Sequence, residues 1–93
     1  MTETLKDVLE QVLKGKVGVE VAAQEIKGLT ANISADDQVL KCLSFSACEV
    51  VHYAQQLSEA STPQWVESFR YELVRSSQDM AKLAKKYLKT LSA

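Results

Sequence analysis

The sequence predicts an all-α fold, a four-helix up-and-down bundle built on a long antiparallel hairpin of its two C-terminal helices. Three observations predict it. Only three Gly and one Pro interrupt the 93 residues, too few breakers for many short strands. Leu40, Leu43, Ala47, Val50, Ala54 and Leu57 recur at spacings of 3 and 4, as do Val66, Phe69, Leu73, Ser76, Met80, Leu83 and Tyr87. That alternation is the heptad-like seam of a packed helix. The two stripes are joined by a short turn, which favours an antiparallel pair. A 46% hydrophobic and 25% charged composition suits one small domain over residues 1–93, with a thin margin of stability.

Two short helices precede that pair. In the first, Leu5, Val8, Leu9, Val12 and Leu13 share one helical face. Thr4 with Asp7 is its start signal and Gly15 its stop, with Lys14 and Lys16 where cations suit a C-terminus. The second runs roughly from Val19 to Lys27 and ends at Gly28, with Val21, Ala22, Ile26 and Leu29 facing inward. The valines at 17, 19 and 21 alternate as in a strand, but the following AAQEIK argues for a helix. Together the two are about as long as one long helix and should fold back along the pair.

GLTANIS, residues 28–34, reads as a loop. Ser34 then caps the third helix, with Asp36 and Asp37 in its first turn, where negative charge suits the helix dipole. That helix should end near Ser58, at EASTP. Thr62 caps the fourth, and Pro63 takes its first position, where a missing N–H matters little. The fourth helix should end near Leu91, so each long helix spans on the order of 35–40 Å.

LEQVLKGKVGVEVAAQEIKGL resembles in outline the helix–Gly–helix hairpins of many small bacterial proteins. The resemblance is one of pattern and implies no function.

The stretch CLSFSACEVVH, residues 42–52, holds both cysteines and the one histidine. At about 100° per residue, Phe45, Cys48 and His52 fall close to the side opposite the seam. Cys42 and Cys48 are six residues apart on one helix, beyond disulfide reach. Cys48 and His52, at i and i+4, offer two metal ligands and no third, so no metal is expected. As nucleophile and base they lack an orienting group and an oxyanion site. No phosphate loop and no E-x-x-H pattern is present. No cofactor and no enzymatic activity is therefore expected.

Phe45 needs cover, either from the first two helices or from a second chain. The expected function is a small helical protein–protein interaction module, a homodimer or the partner of another protein. Its surface is Phe45, Cys48 and His52 with Tyr71, which points outward on the fourth helix. Trp65 lies near the core side and should plug the turn.

Two alternatives are a small inhibitor of the immunity or antitoxin type and a nucleic-acid accessory protein. The second would use the basic face of the last helix, Arg75, Lys82, Lys85, Lys86 and Lys89. The net charge of −1 is split, −4 over residues 1–62 and +3 over 63–93, but Glu67 and Asp79 interrupt the patch and no recognition motif accompanies it. No apolar run is long enough for a bilayer. The opening MTETLKDVLEQVL is amphipathic, not a basic start before an apolar block. A cytoplasmic protein with reduced thiols is expected.

Overall fold

A computed structural model of the protein describes residues 2–31 and 37–92. They form four helices in chain order: α1 (Thr2–Leu13), α2 (Val19–Thr30), α3 (Gln38–Glu59) and α4 (Pro63–Ser92). No strand occurs among the described residues. The α3 and α4 helices share the largest interface, α2 lies on α3, and α1 touches both α2 and α4.

The helix ends follow local chemistry in three places. Gly15 ends α1 with φ +75, a conformation glycine adopts without a Cβ penalty. The Gly15 N–H donates to the Val12 carbonyl (3.2 Å) and the Lys16 N–H to that of Gln11 (2.9 Å), the paired bonds of a Schellman cap. Asp37 opens α3, its Oδ1 accepting from the Leu40 N–H at 3.1 Å. This corrects the expected start, because Asp37 is the cap and not a first-turn residue; Ser34 and Asp36 lie outside the described residues. Pro63 opens α4 as expected, and the Thr62 carbonyl accepts the first intrahelical bond, from the Val66 N–H at 3.0 Å.

The α2 helix runs past its expected end. Gly28 lies inside it, in right-handed backbone with open space where a Cβ would stand. A glycine weakens an isolated helix by only about 1 kcal/mol, and docking on α3 outweighs that. Ile26 and Thr30 are buried. Thr30 donates its hydroxyl to the Ile26 carbonyl (2.7 Å) and shares a 2.9 Å hydroxyl–hydroxyl bond with Ser44 of α3. The last turn is thus held from outside.

One cluster forms the core: Leu5, Val8 and Leu9 of α1; Ala22, Ala23 and Ile26 of α2; Leu40, Leu43, Ala47 and Val50 of α3; Met80, Ala84 and Tyr87 of α4. Ser76, the polar break in the seam, is fully buried and donates to the Leu73 carbonyl of its own helix at 3.1 Å.

No residue from 51 to 75 is fully buried. Ala54, Leu57, Val66 and Phe69, expected in the seam, are only half-buried and stand outside the core cluster. The dimensions, 46 × 27 × 17 Å, supply the reason. The long axis is the length of α4 at about 1.5 Å per residue, whereas α1 and α2 are 12 residues each. They cover only the half of the α3–α4 pair that ends in Leu40 and Tyr87, and two helices alone cannot enclose both of their wide faces.

Burial pushes the Tyr87 phenol up from its ordinary value, and the charge of Asp37 adds to the shift. The unfolded chain then releases this proton first, near pH ~10. The stabilisation is therefore fully present below that pH and is lost as pH rises through the raised folded value. Thermal melts across the alkaline range should show a flatter decline for Tyr87→Phe than for the parent. Parallel curves would rule Tyr87 out as the source.

Candidate functional site

The α3–α4 pair presents a groove of about 600 Å3 on the side that α1 and α2 leave open. Cys42, Phe45 and Glu49 line it from α3, and Arg75, Asp79 and Leu83 from α4. Phe45, 67% exposed, is its apolar edge. The α2 helix sits on the other side of α3, through Ser44, so the uncovered phenylalanine is a consequence of where α2 docks.

At the centre stands Arg75. Its Nε and Nη2 reach Glu72 at 3.1 and 2.8 Å, its Nη2 reaches Glu49 of α3 at 2.9 Å, and its Nη1 reaches Asp79 at 3.1 Å. The hydrogen bond to Glu72 first, and that to Glu49 second, hold the guanidinium charged far above any physiological pH. Three carboxylates around one cation leave the cluster with a local charge of −2. Lys41 and Lys82 stand on the groove wall.

This cluster changes the basic face expected on α4. Lys82, Lys85, Lys86 and Lys89 are exposed, but the charge of Arg75 is taken up by its three acids. The spacing of Glu72, Arg75 and Asp79 on one helix was legible in the sequence. Glu49, 26 residues away in the chain, was not.

Of the four expected interface residues, the structure places only Phe45 on the groove. Cys48 is half-buried. His52 is exposed on the next turn, its ring edge-on to Tyr53 with centroids 5.1 Å apart. Tyr71, 68% exposed, stands on the outer face of α4. Trp65 does not plug the turn: it is 58% exposed and stacks on Phe69 at 5.4 Å, with Phe69 in turn 6.4 Å from Tyr53. The two-helix end is too narrow to enclose an indole, so the ring lies along the surface beside Gln56 and Glu59.

Cys42 is exposed on the groove. Among the described residues, no group of three or more His, Cys, Asp or Glu side chains could hold a metal ion. No helix there is long and apolar enough to cross a membrane. What the groove offers is an apolar edge, Phe45, beside a cluster of charges fixed by ion pairs, with Lys41 and Lys82 on its wall. Comparison with protein-family models, with curated proteins and with solved structures finds no match to this chain.

Proposed function

We propose that the protein is a non-enzymatic helical interaction module that engages another protein through the open α3–α4 groove. The observation that carries the proposal is Phe45, a large aromatic side chain left 67% exposed beside a groove of about 600 Å3. Exposed aromatics beside a pocket are the residues that anchor interfaces. The finer fold assignment, an up-and-down four-helix bundle on an antiparallel α3–α4 hairpin, belongs to the same proposal. The Tyr53–Phe69 and Glu49–Arg75 contacts support the hairpin. A cytoplasmic setting, in which Cys42 and Cys48 stay reduced, is part of the proposal as well.

The test compares Phe45→Asp with the parent chain. Phe45 is mostly exposed and stands outside the core cluster, so helicity and melting temperature should hardly change. A partner recovered with the parent chain should be lost with Phe45→Asp, and the purified pair should bind at least about 30-fold more weakly, the effect of losing an anchor worth ~2 kcal/mol. Unchanged recovery and unchanged affinity would refute the groove as the binding surface.

A further inference from the structure

We propose that a second copy of the chain docks on the half of the α3–α4 pair that α1 and α2 leave bare, forming a twofold dimer. The proposal extends the interaction-module reading but uses a different surface.

The surface is the continuation of the α1–α2 side beyond the end of those helices. Leu73, Val74 and Ala81 of α4 meet Val19 of α2 around a hollow of about 400 Å3. Val74 is 52% and Val19 39% exposed. One and two turns toward the start of α4, Arg70 and Val66 continue the stripe of Val74, since residues four apart share a helix face. A layer is missing here, and the seam residues Ala54, Leu57 and Val66 stay half-buried for want of it.

Area and charge both point to a second copy as the occupant. The stretch 63–75 of α4 is about 20 Å long, and with α3 alongside at ~10 Å spacing it presents a face roughly 20 Å wide. Allowing for the corrugation of a helical surface, that is on the order of 600–800 Å2 per copy, close to the ~800 Å2 per partner of a standard stable interface. Arg70 and Glu67 are exposed, and neither makes an ion pair among the described residues. One base and one acid a turn apart are self-complementary about a twofold axis, because each copy's arginine meets the other's glutamate.

Light scattering on the full chain, in reductant, over a wide concentration range tests the proposal. The expected result is a dimer mass that reductant leaves intact. Val74→Asp should be monomeric while keeping its helical circular dichroism, since Val74 is half-exposed and stands outside the core cluster. Arg70→Glu should weaken dimerisation about ten-fold, and adding Glu67→Arg should restore it. Phe45→Asp should dimerise like the parent. A chain that stays monomeric throughout overturns the proposal, and so does a dimer unaffected by Val74→Asp. A charge swap that restores nothing overturns the twofold pairing. A dimer dissolved by Phe45→Asp instead puts the second copy in the groove. The module reading alone fails if Phe45→Asp changes neither the dimer nor the binding of a partner.

Discussion

Leu43→Ala is expected to lower the stability of the protein by about 2–5 kcal/mol, the range for emptying a fully enclosed leucine site. Leu43 has no exposed surface and sits in the cluster that joins all four helices. Its neighbours on α3, Ala47 and Val50, are smaller residues on a rigid helix. They cannot fill the space by changing rotamer. A domain of this size has ~5–15 kcal/mol in total, and each kcal/mol moves the melting temperature by about 4–8 °C. A fall on the order of 8–40 °C should follow. Urea unfolding by circular dichroism checks it, with the midpoint falling and the slope unchanged. A loss under about 1 kcal/mol would mean that the core relaxes into the cavity and is less rigid than its packing implies.

Leu9→Ala deletes the same atoms from an equally buried site, yet its effect is expected to appear in a different place. The α1 helix is 12 residues long and holds to the rest through Leu5, Val8 and Leu9, with Val12 and Leu13 half-buried at its end. Alone in water such a helix is marginal. Once Leu9 is truncated, undocking α1 becomes the cheaper route of opening, and the opening is local. Hydrogen exchange should show the amides of α1 losing protection before those of α3, whereas Leu43→Ala should lower protection throughout. Equal loss along the whole chain in Leu9→Ala would show that α1 and the α3–α4 pair unfold as one unit.

The contrast between these two sites reflects how legible each part was. The buried stripe of α1 follows directly from its spacing, and Leu5, Val8 and Leu9 are where the periodicity puts them. The stripes of α3 and α4 were legible as faces, but their burial was not. Leu40, Leu43, Ala47 and Val50 are buried, while Ala54 and Leu57, equally periodic, are not. Periodicity states which side of a helix turns inward; it carries no information on how far along that side another helix extends. Gly28 misled for a related reason, since a helix-weakening residue ends a helix only when nothing else holds the next turn, and here Thr30 and Ser44 do.

The candidate site divides in the same way. That Phe45 lies away from the seam followed from an angle on a helical wheel. That it stays open followed only from α2 docking on the Ser44 side. Arg75 belonged to a basic face in the sequence although Glu72 and Asp79 stand one turn away on either side; Glu49, which joins them from α3, is beyond the reach of helical spacing.

By itself, then, the sequence determined the number of helices, their order, and the face that α1, α3 and α4 turn inward; on α2, Ala22 and Ile26 are buried as expected, but Val21 is exposed and Ala23 takes its place. These depend on residues within a few turns of one another, and helix propensity, capping and amphipathic spacing act at that range. Only the tertiary structure decided which part of each face is covered, which charges are neutralised, and which aromatic residues remain in solvent. Those outcomes depend on the relative lengths and offsets of whole helices: two 12-residue helices laid against a 30-residue one leave part of it bare.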